Sequence, residues 1–469
     1  MNRREFLALA MGAAGGMMAA VRAASTVRPP NIVLILVDDL GWRDLGCYDG
    51  AMFETPHIDG LARDGLRFTQ AYANCPVCSP SRAALMTGKS PARSGFTGHI
   101  TAIGRHRHPE GSRLLPPDDK LYLPLEERTL AETLKDAGYT SASIGKWHLG
   151  PEGFWPEDQG FDVNVAGWTH GSPPSYVYPY TDPKKEWNPS IPTLHGGEEG
   201  EYLTDRLTNE GISFIESHRE HPFFLYLTHY AVHTPLQAPK ELIRKYENKL
   251  EGHGNTIDPV YAAMVENLDT NVGRVLHTLR RLGLEKDTLV VLASDNGGLL
   301  GSSSNAPLRE GKGWLYEGGI RTPLILRWPG HIPAATVSEE PVIGCDLFST
   351  LVDVGGGTQP GVSLDGVSLA PLWQGAEHLD REALYWYYPH YQGKAQRPGA
   401  AIRKGRYKLI ETYDPEEIEL YDLEADLSEQ HNLAQAMPDT TAALLEDLRE
   451  YLRRVEAIPP TPNPAYRGE

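Results

Sequence analysis

The chain has 469 residues and a formal net charge of −18, from 44 Lys and Arg against 62 Asp and Glu. That length exceeds a single small module, and apolar and charged shares of 40% and 23% exclude a disordered or fibrous chain. The acid excess argues against nucleic acid as a partner, because a phosphate backbone demands a basic face, and four cysteines in this length do not make a disulfide framework.

Residues 1–24 open with Arg3 and Arg4, continue through an apolar run from Phe6 to Val21 and end in small residues around Ala23. The run is too short and too rich in Gly and Ala for a spanning helix and has the shape of an export signal. Arg3-Arg4 before Phe6-Leu7 resembles a twin-arginine signal, although an ordinary secretory signal also starts basic. No Cys follows the run closely, and no later apolar run is long enough to span a membrane. The expectation is an exported protein, periplasmic or secreted, without a membrane anchor.

Residues 31–37, NIVLILV, are almost continuously apolar and branched, which predicts a strand buried on both faces of a mostly parallel sheet. Helices are predicted over 55–64 and 129–137, a strand over 139–144, a helix over 202–216 and a buried strand over 223–227. A long amphipathic helix over 261–282 leads into a strand at 288–293; a further extended run at 323–327 and a helix at 346–354 follow. Strands alternating with helices indicate an α/β domain. Between them, residues 150–200 are rich in Pro, Gly, Trp and Tyr with little periodicity, and loops of that length usually carry function. Beyond residue 375, short strand-like runs at 383–388, 400–402, 407–411 and 419–422 precede a helix at about 440–455. The expected division is a signal at 1–24, a catalytic domain at 25–375 and a smaller C-terminal α+β unit with an antiparallel sheet at 376–469.

Two predicted strands end in paired polar groups, Asp38-Asp39 and Asp295-Asn296. Ligands in open α/β sheets sit at the carboxyl ends of strands, and adjacent carboxylates there repel unless a cation lies between them. Such an all-oxygen set suits Ca²⁺ or Mg²⁺ rather than Zn²⁺. Cys75 and Cys78 form a CxxC, but no second CxxC or nearby His pair supports zinc.

The residues after it point elsewhere. Cys78-Ser79-Pro80-Ser81-Arg82-Ala83-Ala84-Leu85-Met86-Thr87-Gly88 matches the sulfatase signature that opens C-x-P-S-R and closes L-x-T-G. The chain thus resembles the type I sulfatases of the alkaline phosphatase superfamily. The resemblance extends to Gly145-Lys146-Trp147-His148-Leu149-Gly150, to His233-Thr234-Pro235, to the stretch from Gly311-Lys312-Gly313 to Tyr316-Glu317-Gly318-Gly319-Ile320-Arg321, and to Glu419-Leu420-Tyr421-Asp422-Leu423. One departure is Lys89 where that family usually has Arg, which keeps the charge and loses the planar fork.

The resemblance implies an alkaline-phosphatase-like α/β fold. It also implies conversion of Cys78 to formylglycine by a maturation enzyme, and Ca²⁺ held by Asp38, Asp39, Asp295 and Asn296 beside residue 78. The hydrated aldehyde would be the nucleophile on a sulfate ester, with sulfate later eliminated. Arg82 and Lys146 would stabilise the formylglycine and bind sulfate, and His148 would take the proton from the hydrate. His233 and Lys312 would bind sulfate and protonate the leaving oxygen, two roles that are exchangeable at this level. The net charge repels an anionic substrate only within a screening length of about 10 Å at ~0.1 M salt, so local cations govern the pocket.

Substrate choice belongs to the loops. Trp155, Trp168, His170, Tyr176, Tyr178 and Tyr180 crowd one loop; Tyr385, Trp386, Tyr387, Tyr388, His390 and Tyr391 form a second cluster. Aromatic faces suit sugar rings and core packing equally. His170 and His390 are candidate readers of sugar hydroxyls, and His99 and Arg105 candidate contacts. The loop at 155–162 looks like those of bacterial sulfatases acting on polysaccharides. The expected substrate is a sulfated carbohydrate, with galactose or N-acetylgalactosamine units. The competing readings are a phosphatase, phosphodiesterase or phosphonate hydrolase of the same superfamily, disfavoured by a ligand set without His, and a non-catalytic glycan-binding protein, disfavoured by the intact Cys78, Arg82, Lys146 and His233.

Overall fold

The structure, a computed structural model, describes residues 28–101, 111–252, 256–392 and 396–467; the export-signal segment and Arg105 lie outside them. An eight-stranded sheet organises the larger part. Its strands are β1 Asn31–Val37, β2 Leu66–Phe68, β3 Thr140–Gly145, β4 Val163–Val165, β5 Phe223–Thr228, β6 Thr288–Ser294, β7 Leu324–Arg327 and β8 Thr336–Ser338. They lie in the order β8-β2-β7-β6-β1-β5-β3-β4. Strands β6, β1, β5, β3 and β4 pair in parallel, and β7 is antiparallel to both its neighbours.

Every residue of β1 is buried, as its unbroken apolar sequence requires. Val33, Ile35 and Val37 pack on one face, against helices Leu203–His218 and Pro259–Arg281. Ile32, Leu34 and Leu36 pack on the other, with Leu130, Leu134, Leu347, Phe348 and the signature helix's Leu85 and Met86. Each such side chain contributes about 1.5–3 kcal/mol of burial. Helix Leu130–Asp136 starts where it does because Thr129 and Glu132 form a reciprocal capping box, and the long helix is capped by Asp258 ahead of Pro259.

Helix Lys240–Leu250 was not legible as one: KELIRKYENKL has few apolar residues. Strand β4 lies inside the stretch read as irregular, where three residues extend the sheet edge beside β3.

The C-terminal part is an antiparallel meander of Leu384–Tyr388, Gly399–Lys404, Tyr407–Tyr413 and Glu416–Asp422. One face packs Ala400, Ile402, Leu409 and Leu420 against Leu444, Leu448 and Tyr451 of helix Pro438–Arg454. The other face packs Trp386, Ala401 and Ile410 against Tyr72, Cys75, Val77 and Ala84. This sheet thus shares a core with the segment that carries Cys78. Among the described residues, no helix is long and apolar enough to cross a membrane.

Candidate active site

Four neighbouring parallel strands deliver the site. Val37 stands opposite Ser294, Leu36 opposite Thr228, and Gly145 opposite Thr228, so β6, β1, β5 and β3 end level. The chain then supplies Asp295 and Asn296, Asp38 and Asp39, His233, and Lys146 and His148 at one edge, where parallel sheets place ligands. Gly145 is required for this convergence: its φ is +111°, and a Cβ would lie 1.9 Å from the Thr228 carbonyl oxygen. Asp39 and His148 both hold φ near 60°, a left-handed conformation that residues with side chains adopt infrequently.

The signature forms helix Cys78–Thr87, closed by Gly88 in the left-handed region. Cys78 occupies its first turn and faces His148, with Sγ 3.3 Å from Nδ1. Arg82, four residues on, turns inward and is fully buried. Its Nε donates to Asp295 Oδ2 at 2.8 Å, and Nη1 donates to Thr228 Oγ1 at 2.6 Å and to the Lys146 carbonyl at 2.8 Å. Thr228, which residue type alone did not mark, is thus part of the frame. Cys75 is buried, and burial pushes its thiol well up; Ser81 donates to its carbonyl at 2.8 Å. It is structural, and the four cysteines are free.

The carboxylates are held by lysines. Lys146 Nζ donates to Asp38 Oδ2 at 2.7 Å, and Lys312 Nζ to Asp39 Oδ2 at 2.9 Å. His233 Nε2 lies 3.6 Å from Asp39 Oδ2. Asn296 Nδ2 donates to Asp39 Oδ1 at 2.7 Å, and the Asp39 N–H donates to Asp295 Oδ1 at 3.2 Å. Burial raises Asp38 to about 8, helped by Asp295 and Asp39 and opposed by Lys146 and Arg82. Burial pushes Asp39 up as well, but Lys312, His233 and Lys146 outweigh it and hold that carboxyl well below the usual range. Burial and the Lys312 ammonium push His233 down to about 3.

Two buried oxygens, Asp38 Oδ1 and Asn296 Oδ1, have no hydrogen-bond partner among the described residues. Leaving such an atom unpaired costs about 1–3 kcal/mol. Ligand atoms of Asp38, Asp39 and His233 lie within 4.8 Å of one another. Asp295 stands beside them with both oxygens engaged by Arg82 and the Asp39 N–H. An oxygen-dominated set with orphaned acceptors fits a hard divalent cation.

His148 is buried and is held well below its ordinary value by burial and by Lys146, so it is neutral. Its backbone N–H donates to the Trp168 carbonyl at 3.0 Å, and its ring lies against Gly171, where a Cβ would fall 2.4 Å from Cε1. His170 therefore sits next to the site. Its ring packs between Trp168 and Trp187, at centroid distances of 4.5 and 5.6 Å. His390 is placed differently: it is buried, with Nε2 2.8 Å from Thr97 Oγ1.

Most of the aromatic candidates are packing residues. Tyr176 is fully buried and donates to the Tyr230 carbonyl at 2.6 Å; Tyr180 is buried too. In the C-terminal cluster, Trp386, Tyr387 and Tyr388 are buried, and Tyr385 stacks on Tyr451 at 3.9 Å. Trp187, absent from the sequence-derived candidates, is half exposed.

The sulfatase family profile matches residues 30–357, and a profile described as the C-terminal region of N-sulphoglucosamine sulphohydrolase matches residues 311–457. The chain belongs to the sulfatase family and is a sulfatase. It is 36% identical over 411 residues to N-acetylgalactosamine-6-sulfatase of Mus musculus, covering 82% of this chain and 72% of that protein. It is 34% identical over 490 residues to arylsulfatase A of Homo sapiens, covering 94% and 90%. Among solved structures, that of Ps i-CgsB in complex with k-i-k-neocarrahexaose aligns with a TM-score of 0.78 at 29% identity, over 91% of this chain and 93% of that one.

Proposed function

We propose that this sulfatase removes O-sulfate from sulfated carbohydrate, with galactose or N-acetylgalactosamine units as the favoured class. In this reading Cys78 is converted to formylglycine by a separate maturation enzyme, and Ca²⁺ is held by Asp38, Asp39, Asp295 and Asn296, with residue 78 beside it. The protein is exported, to the periplasm or the medium, and maturation precedes folding. The observation that carries the reading is the contact between Cys78 Sγ and Nδ1 of a histidine kept neutral at the edge of a buried carboxylate cluster. The sugar class is supported by the N-acetylgalactosamine-6-sulfatase relatives and by the oligosaccharide-bound structural neighbour.

A hydrated aldehyde at position 78 supplies the nucleophilic oxygen, and bound Ca²⁺ supplies positive charge that stabilises anionic oxygens in the pocket. The remaining work falls to side chains. His148 Nδ1 is the proton acceptor for residue 78, because Nε2 already faces the Ile100 carbonyl at 2.8 Å. Arg82 fixes the position of Asp295 and of the Lys146 backbone. Lys146 and Lys312 provide the positive charge that an ester oxygen needs as its bond to sulfur breaks. Lys312 and His233 meet at Asp39; from there both bind sulfate, and Lys312, kept charged by Asp39, returns a proton to the leaving oxygen.

The test is a mass spectrum of the peptide containing residue 78 from protein expressed with and without a formylglycine-generating enzyme, paired with turnover of sulfated sugars and their phosphate analogues. Loss of sulfur in exchange for a carbonyl oxygen, and activity confined to the sulfate esters of the co-expressed protein, are expected. An unmodified thiol in active protein, or preference for phosphate, would overturn the reading.

A further inference from the structure

The signature residue after Cys78 has no role in the scheme above, yet it touches the same nitrogen as Cys78 does. Ser79 is fully buried, and its Oγ lies 3.2 Å from His148 Nδ1. The same Oγ accepts the Ile100 N–H at 3.1 Å. His148 Nε2 lies 2.8 Å from the carbonyl of that same Ile100. A carbonyl only accepts, so Nε2 carries the ring proton and Nδ1 is the acceptor. With the Ile100 N–H donated into it, the Ser79 hydroxyl directs its single proton to Nδ1. Three hydrogen bonds thus close a ring through one backbone unit, one hydroxyl and one imidazole.

The other sides of the imidazole are also fixed. Its face rests on the backbone of Gly171. The Ile100 segment is braced from the C-terminal part, where His390 meets Thr97 at 2.8 Å. Among the described residues, the Ser79 hydroxyl is the one side-chain donor to Nδ1 besides Cys78.

We propose that Ser79 is a positioning residue: through the Ile100 peptide unit it holds His148 in one tautomer and one orientation, with Nδ1 presented to residue 78. The proposal rests on His148 being the proton acceptor of the reaction. Ser79, itself buried, acts through His148. It shares the acceptor with residue 78, and its donation yields when residue 78 presents a proton. Orientation errors of about 1 Å at a reacting group cost on the order of a hundredfold in rate.

The experiment compares wild type, Ser79→Ala and Ser79→Thr by two readouts. The first is the ¹⁵N spectrum of His148 in the unconverted Cys78 form. Wild type and Ser79→Thr are expected to show a single Nε2–H tautomer with a hydrogen-bonded Nδ1, and Ser79→Ala a shifted Nδ1 signal and mixed tautomers. The second is kcat and KM on a sulfate ester, normalised to the formylglycine content found by mass spectrometry. In Ser79→Ala, kcat is expected to fall about tenfold to a hundredfold with KM within about twofold, and Ser79→Thr to recover most of the loss. A Ser79→Ala protein with an unchanged His148 spectrum and unchanged kcat would overturn the proposal. Should wild type turn over no sulfate ester, the functional reading fails, and the spectrum alone decides the clamp.

Discussion

Lys312 Nζ straddles the carboxylate of Asp39, 2.7 Å from Oδ1 and 2.9 Å from Oδ2. It occupies the oxygens that a cation would use, and its charge is kept by Asp39 against the opposing effect of burial. A lysine so placed would compete with a divalent cation for Asp39 and, once displaced from the carboxylate, would be free to meet sulfate.

The two roles separate in Lys312→Ala. Turnover should fall by about a hundredfold or more, the usual consequence of removing a charge aimed at a developing anion. Calcium affinity, read by calorimetry on the chelator-stripped protein, should stay level or tighten. A variant that loses both together would place Lys312 in the metal site's support.

Calcium affinity should also depend on pH. Without a cation, burial raises Asp38 to about 8, so at neutral pH that carboxyl is largely protonated and binding must release its proton. Affinity is therefore expected to rise from pH 6 to 8 and to level off above. The metal-free protein runs the other way: a raised folded-state value means stability present below about pH 4 and lost as pH rises through 8. Calorimetry in buffers of different ionisation enthalpy measures the released proton, and a pH-independent affinity would contradict the assignment.

The strand ends were legible because buried parallel strands are unbroken apolar runs, and Asp38-Asp39 and Asp295-Asn296 interrupt two of them abruptly. The Gly-rich loops at Lys146 and Lys312 were legible by resemblance. Thr228 and Ile100 were not. Thr228 is one small hydroxyl at the end of a strand, and Ile100 acts through its peptide unit, which its side chain does not report. The aromatic clusters stayed ambiguous for a related reason: residue type does not encode exposure, so buried Tyr176 and Tyr388 read the same as half-exposed Trp187.

The C-terminal sheet reaches the site through a buried ion cluster. Lys408 Nζ donates to Glu317 Oε1 at 3.0 Å and to Glu429 Oε1 at 2.9 Å, with all three side chains inaccessible. Glu317 opens the short turn whose Gly318 carbonyl would clash with any Cβ at Gly297, beside Asn296. Lys408→Met leaves Glu429 without its cation and Glu317 with Arg321 and Tyr72 alone, and should destabilise the protein by about 3–5 kcal/mol in chemical denaturation. Adding Glu429→Gln should restore part of that loss, since it removes one of the two charges. Additive losses in the double variant would show that the three groups do not act as a unit.

Trp187 offers the test of the sugar reading. Its ring is half exposed and meets His170 edge-on, and His170 packs on Trp168, whose carbonyl holds His148. Asn188 ties the same segment to the strap over His148, donating to the Ser172 carbonyl at 2.9 Å. A half-exposed indole linked to His148 through His170 and Trp168 is suited to an apolar sugar face. Trp187→Ala should therefore raise KM for a sulfated oligosaccharide about tenfold, equivalent to about 1.4 kcal/mol of lost contact. A small aryl sulfate, which lacks the extra ring, should be turned over with unchanged kcat/KM. Steady-state kinetics on the two substrates decides it: equal losses on both would assign Trp187 to the packing of the loop, and no loss on either would move sugar recognition elsewhere on the rim.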